Sequence, residues 1–358
     1  MRYLFITILF LHGINLNAQV TKQPVLVTDM LKIKTISAVT LTEDGSSAAF
    51  VVTSIEPESD SARWEYKYTN QLWMVSTLPG ATPRQLTFSK EGASQPAWSP
   101  DGKQLAFVRT VDGRPQIFVL SFTGGESMQL TKFKYGAAAP RWSPDGKRIA
   151  FVAAVRPRDL MTDSLLNPGK KVPLWSMEKP GYAKNEHMNP SSAKPNPDGS
   201  MGEVRAYLDM NATDRKATVL NKLNFQNETD ISAEMNFNQF FVVNVQPNTT
   251  PVPVTRGFYR HNNLQFTPDG KQFIMTADID STEHPDRSQE SEIFILNTDG
   301  SNFKMLLGKK GIAYTNALLS NDGKWIAFQH SKTNYVSVPT FALMPVNGSE
   351  KEIVNIPF

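Results

Sequence analysis

Cysteine is absent from all 358 residues. That excludes disulfides, zinc-thiolate sites, a thiol nucleophile and a lipid-anchored N-terminal cysteine. Past the N-terminus no apolar run reaches the ~18 residues that a membrane helix needs, so no membrane span is expected. Net charge is slight, 37 Lys+Arg against 34 Asp+Glu, and no field drives binding to nucleic acid or to an anionic membrane. What is present is 40% hydrophobic residues, enough for a large folded core.

The N-terminus differs from the rest. Met1-Arg2 gives a positive start, Tyr3 to Ile14 is an apolar run broken by Thr7, His12 and Gly13, and Ala18 offers a small residue for cleavage. This order is that of a secretory signal peptide over residues 1–18, followed by a lead-in over 19–35. A periplasmic or secreted location follows as an expectation. Without disulfides, the exported chain must be held together by its core.

Repetition is the strongest signal. Trp98-Ser-Pro-Asp-Gly-Lys-Gln-Leu-Ala-Phe-Val-Arg109 returns as Trp142-Ser-Pro-Asp-Gly-Lys-Arg-Ile-Ala-Phe-Val-Ala153. Further copies begin at Phe266 and Leu319, and a weaker one at Leu41. Their aspartates are Asp44, Asp101, Asp145, Asp269 and Asp322. Proline presets the first turn dihedral, aspartate bonds its own backbone, and glycine supplies the positive φ that closes a hairpin. The strand after each turn, such as Leu105-Ala-Phe-Val108, is apolar on both faces, as a strand packed between two neighbours requires. A second strand pair follows each copy, from Gln71, Gln116, Gln239, Glu292 and Thr340. Four strands per repeat at this period predict an all-β fold, a β-propeller of four-stranded blades over residues 36–358, with five clear repeats.

One gap, between Asp145 and Asp269, is far longer than the others. Residues 156–218 are rich in Pro, Asn, Lys and Asp and are expected to be an insertion within one blade. Pro197-Asp-Gly199 offers the alternative of a degenerate sixth blade, but no apolar strand follows it directly.

The WSPDGK hairpins and the Gln-Leu-Thr strand ends at Thr87 and Thr131 resemble the N-terminal propeller of the prolyl oligopeptidase family, closest to its dipeptidyl-peptidase and acylaminoacyl-peptidase branches. The resemblance implies a propeller that filters peptides to a C-terminal α/β-hydrolase domain with a serine in a G-x-S-x-G elbow. Here that motif is missing. Gly92-Ala-Ser94-Gln-Pro and Gly125-Glu-Ser127-Met-Gln lack the final glycine, and His187, His261, His284 and His330 lie near no elbow-like serine. The repeats run to the last residue, which leaves no room for a hydrolase domain of ~200 residues. Family propellers look like seven or eight blades, so five imply an incomplete ring and a chain equivalent to the front of a longer peptidase. Its partners would be peptides and that hydrolase domain. The same hairpin resembles the Tol-system periplasmic propeller, a stand-alone protein-interaction module, which is the alternative function. It also resembles the propeller of oligogalacturonide lyases, whose metal site needs more histidines than the four scattered here.

No catalytic, cofactor-binding or metal-binding residue is expected in the chain, and no cofactor. Asp278, Asp280, Glu283 and Asp286 approach a calcium loop but lack its glycine and terminal glutamate, and are expected to be a solvated blade loop. Trp98 and Trp142 are expected to pack blades rather than to stack on a ligand. Glu56, Glu58, Asp60, Arg63 and Glu65 form a charged hairpin tip; in dipeptidyl peptidases propeller acids hold the substrate amine, but a solvated tip is expected here. Asn211, Asn227, Asn248 and Asn347 head N-x-S/T sequons.

Overall fold

The five aspartate hairpins each become the first turn of a sheet. The computed structural model of the protein describes residues 24–58, 65–173, 175, 192–213, 236–279, 288–333 and 338–357. The first sheet contains β1 (Thr35–Leu41), β2 (Ser47–Pro57), β3 (Tyr66–Ser76) and β4 (Arg84–Gln85). The second has β5 (Ser94–Trp98), β6 (Gln104–Val111), β7 (Arg114–Ser121) and β8 (Met128–Gln129). The third has β9 (Ala138–Trp142), β10 (Arg148–Val155), β11 (Phe237–Asn244) and β12 (Val252–Pro253). The fourth has β13 (Arg260–Phe266), β14 (Gln272–Asp278), β15 (Glu292–Asn297) and β16 (Lys304–Leu307). The fifth has β17 (Ile312–Leu319), β18 (Trp325–Lys332), β19 (Thr340–Pro345) and β20 (Val354–Asn355). In every sheet consecutive strands pair antiparallel, which is the up-and-down blade of a propeller.

The hairpin chemistry is the same in all five blades. In the second, Asp101 Oδ1 accepts the Ser99 hydroxyl at 2.6 Å and the Lys103 N–H at 3.1 Å, while Ser99 Oγ accepts the Gln104 N–H at 2.9 Å. Gly102 takes φ +67, a conformation an L side chain would strain. Thr42, Ser143, Thr267 and Ser320 donate in the same way to Asp44, Asp145, Asp269 and Asp322. These hydroxyl bonds, then the backbone N–H bonds, hold all five carboxyls below the usual aspartate pKa.

Each first strand also carries a bulge at a fixed distance before its turn. Ala38, Gln95, Ala139, Asn263 and Asn316 have φ between +49 and +53, each six positions before the turn aspartate. The pairing register shifts at these points, which bends the strand and increases its twist.

A buried lock joins the outer strands in the first three blades. Thr131 Oγ1 donates to Gln116 Oε1 at 2.8 Å and accepts the Ile117 N–H at 2.9 Å, and Gln116 Nε2 donates to the Phe133 carbonyl. Thr87 with Gln71, and Thr255 with Gln239, repeat it. The glutamine that opens the third strand and the threonine that ends the fourth are therefore two halves of one device.

Four apolar clusters fill four blade boundaries. Ala49, Val51 and Leu72 meet Leu105, Phe107 and Phe118. Ala106, Val108 and Ile117 then meet Ile149, Phe151 and Phe241. Ala150, Phe240 and Val242 meet Phe266, Phe273 and Met275, and Ile274 and Ile293 meet Ile326 and Phe328. No cluster joins the fifth blade to the first, so among the described residues the ring is not closed.

The break in the repeats falls between the second and third strands of the third blade, where β10 ends at Val155 and β11 begins at Phe237. The strands thus resume later than the composition shift near 218 suggests. Helix α1 (Pro157–Thr162) and Leu166 and Trp175 tuck into the core of the second and third blades. The Pro197-Asp-Gly199 turn leads into helix α2 (Met201–Thr213), whose first turn is capped by Glu203 accepting the Ser200 N–H and hydroxyl. It opens a helix rather than a hairpin, and the described residues form five blades. Residues 1–23, which include the signal-peptide segment, lie outside the described residues.

Candidate functional site

Alternating strand direction puts the aspartate hairpins at one end of the blades and the point where the insertion leaves β10 and rejoins β11 at the other. Most of the polar clefts also open at the insertion end, between blades. The cleft between the third and fourth blades has a volume of about 170 Å³. Its walls are apolar: Ala150, Val152 and Phe240 on one side, Leu264 on the other. Polar groups converge on it from Arg141, Asn238, His261 and Asn262.

The neighbouring boundaries differ from this one in how their inner strands are tied. The Trp98 indole N–H donates to the Thr40 carbonyl of the first blade, and the Trp142 N–H to the Ala97 carbonyl of the second, at 2.9 Å. Each tryptophan staples an inner strand to the preceding blade, as packing rather than as a ligand platform. The fourth blade has Phe266 at this place, which stacks on its own Phe273 and has no N–H to donate. Its inner strand β13 leans on β11 instead of on β9.

His261 is buried, and its Nδ1 lies 3.1 Å from the Asn238 carbonyl. Burial lowers its pKa to about 4, with the Asn238 bond opposing. The ring is therefore neutral at pH 7, with the proton on the Nδ1 that faces a carbonyl and Nε2 left as an acceptor. Arg141 is exposed at the mouth, and its guanidinium makes no ion pair or hydrogen bond with any described residue; loss of water around it lowers its pKa.

Two other concavities share this end. One of about 160 Å³ lies between the first two blades, where Thr69 Oγ1 and Arg109 Nε are buried without a hydrogen-bond partner among the described residues and the Arg109 guanidinium stacks over Phe107 and Phe118. Another, of about 250 Å³, lies beside Asp163 of the insertion. Burial raises the pKa of this carboxyl. Lys134, Tyr135 and the Leu166 and Leu165 N–H groups outweigh it and bring it down to about 2. Burial, then the bond to Asp163, pushes Tyr135 up to about 12.

The acidic residues flagged by sequence are not brought together. Asp278 is not in a solvated loop: it is buried at the end of β14, 3.6 Å from Arg260, because the strand runs one residue further than the loop expectation allows. Asp280, Glu283 and Asp286 lie outside the described residues, as do Asp60, Arg63, His187, His284 and Asn227. Glu56, Glu58 and Glu65 are exposed at their hairpin tip. Ser94 lies in β5 and Ser127 in a turn before β8, and no described histidine bonds a serine hydroxyl; His330 bonds Asn355 instead. Asn248 and Asn347 are exposed in turns, and Asn211 is in α2. Among the described residues no three His, Cys, Asp or Glu side chains are placed to hold a metal ion, and no helix is long and apolar enough to cross a membrane. Arg141 and His261 were not singled out by sequence. A phenylalanine at the tryptophan position of the fourth repeat was the available signal.

Five four-stranded meander sheets with repeated aspartate hairpins define a β-propeller, and residues 43–159 match the TolB beta propeller domain family, PD40. The chain is similar to the uncharacterized peptidase YuxL of Bacillus subtilis (strain 168), 25% identical over 286 residues, covering 77% of this chain and 34% of that protein. It thus spans about a third of the length of the curated relative it matches. Among solved structures, the Pyrococcus horikoshii acylaminoacyl peptidase aligns over 92% of this chain and 40% of its own, with a TM-score of 0.54 and 15% identity. A putative TolB from Agrobacterium tumefaciens aligns over 90% of this chain and 80% of its own, with a TM-score of 0.48 and 14% identity. The chain thus has the fold of a β-propeller, with residues 43–159 similar to the TolB-type propeller domain and most of its length similar to a bacterial peptidase.

Proposed function

We propose that this chain is the non-catalytic propeller portion of an exported serine exopeptidase, admitting peptides and docking an α/β-hydrolase domain. The observation that carries this is the match to a named peptidase along most of this chain but only a third of that protein. The absence of any G-x-S-x-G in the sequence agrees with it, since the propeller has no nucleophile elbow to offer. The clefts at the insertion end suit a surface that meets extended peptides. Residues 1–18 supply the export signal. The TolB family match supports a second reading, a stand-alone propeller that binds other proteins.

The genomic reading frame around Phe358 separates the two. A frame that continues into a G-x-S-x-G elbow with downstream Asp and His supports the peptidase reading. A stop codon directly after Phe358 overturns it in favour of the interaction module. Export is tested by intact mass of protein from its native host: the expected first residue is Gln19, and a retained Met1 in the cytosol counts against it.

A further inference from the structure

We propose that the cleft between the third and fourth blades binds the C-terminal carboxylate of a peptide, with Arg141 holding the carboxylate and His261 Nε2 accepting an N–H of the same ligand. The inference rests on the peptide reading above and extends it to a site and a chemical group.

Three observations lead to it. Arg141 presents a guanidinium with no acidic partner among the described residues at the mouth of the cleft. A guanidinium is a planar fork whose geometry matches a carboxylate, and one without an acidic partner at a cleft mouth is free to take an anion. His261 is almost fully buried and lines the same cleft, with one nitrogen committed to the Asn238 carbonyl and the other without a partner among the described residues. A neutral imidazole acceptor beside a cationic donor fits a ligand with a carboxylate and an adjacent N–H, which is the end of a peptide. The floor of Ala150, Phe240 and Leu264 is apolar and close-packed, suited to a small aliphatic side chain. Inorganic phosphate would meet the arginine but leave both the apolar floor and the histidine acceptor unused.

The indole bonds of Trp98 and Trp142 tie the inner strands at the first two boundaries. Phe266, at the same place in the fourth blade, cannot make that bond. The amides of Asn238 and Asn262, both exposed, flank the opening and can bond the next peptide unit along the chain.

Isothermal titration of the purified chain with Ala-Ala-Ala, its C-terminal amide, acetate and inorganic phosphate tests the proposal. The free-acid tripeptide is expected to bind at least about tenfold more tightly than the amide, acetate or phosphate. Arg141→Gln, on a side chain that bonds no described residue, should erase the preference for acid over amide while leaving the unfolding temperature unchanged. His261→Gln should weaken the tripeptide but not acetate. Equal binding of acid and amide, or an acid preference that survives Arg141→Gln, overturns the site and leaves the peptide-gating reading standing. So does acetate or phosphate binding as well as the tripeptide. Arg141-dependent tripeptide binding by a chain whose frame stops at Phe358 would instead overturn the peptidase reading and leave the site. No binding of the tripeptide at millimolar concentration overturns the site outright.

Discussion

His261 gives the molecule a titration that its unfolded chain does not share. Burial holds its pKa at about 4, against an ordinary value of 6.5. Between those limits the unfolded chain binds more protons than the folded one, so stability is full above pH 6.5 and falls as the pH drops towards 4. The loss over the whole window is about 3 kcal/mol. Thermal unfolding at pH 7 and pH 4.5 should show this drop, and His261→Gln should shrink it. An equal drop in the variant would place the titration elsewhere. The turn aspartates add their own loss only at lower pH, since their carboxyls are held below the usual range. Those aspartates were legible in the sequence because turn chemistry is local. His261 was not, because its burial comes from a blade that is distant along the chain.

At the scale of the strand, the glutamine–threonine lock and the tryptophan staple are open to test. Thr131→Val keeps the shape but leaves the Ile117 N–H without its acceptor in a buried place, while Gln116 Oε1 keeps only the Phe133 N–H. The expected cost is about 2 kcal/mol, read from chemical denaturation. Trp142→Phe removes the N–H that reaches the Ala97 carbonyl and should cost about 1–2 kcal/mol. If either variant unfolds at the wild-type midpoint, that bond contributes nothing net. The Gln-Leu-Thr ends were visible as a repeated motif, but their pairing with the leading glutamine was not, because the two lie on strands separated by a turn. The five inner-strand bulges left almost no trace: Ala38, Gln95, Ala139, Asn263 and Asn316 share a backbone conformation but not a side chain.

Across the whole molecule, the free face of the fifth blade is the main consequence of an open arc. Phe341 is 42% exposed, whereas Ile117, Phe240 and Ile293, at the same register in the second, third and fourth blades, are 0–8% exposed. Leu318, Trp325 and Val354 are exposed as well. An apolar blade face left bare is on the order of several hundred Å², which at ~25 cal/mol/Å² forgoes on the order of 10 kcal/mol of burial. This chain should therefore self-associate, and Leu318→Ser should reduce that. Size-exclusion chromatography with light scattering measures both, and a stable monomer of the unaltered chain would mean that the ring closes at five blades. A fluorophosphonate probe should label no serine, since no elbow is present; stoichiometric labelling of one serine would refute this.

The sequence by itself determined the blades. Hairpin chemistry, both-face apolar strands and the absent elbow are all written in short windows, where a turn's dihedrals and a strand's pattern depend on neighbours in the chain. It also placed the long interruption in the third blade. Tertiary structure alone decided that Asp278 is a buried strand residue paired with Arg260 and not a loop acid, and that Pro197-Asp-Gly199 opens a helix. It alone brought Arg141 and His261, on inner strands of two different blades, to one cleft. Such a meeting depends on how far each blade is turned and bent against the next. That angle is set by bulges, staples and the packing of whole faces, terms that no local run of residues contains.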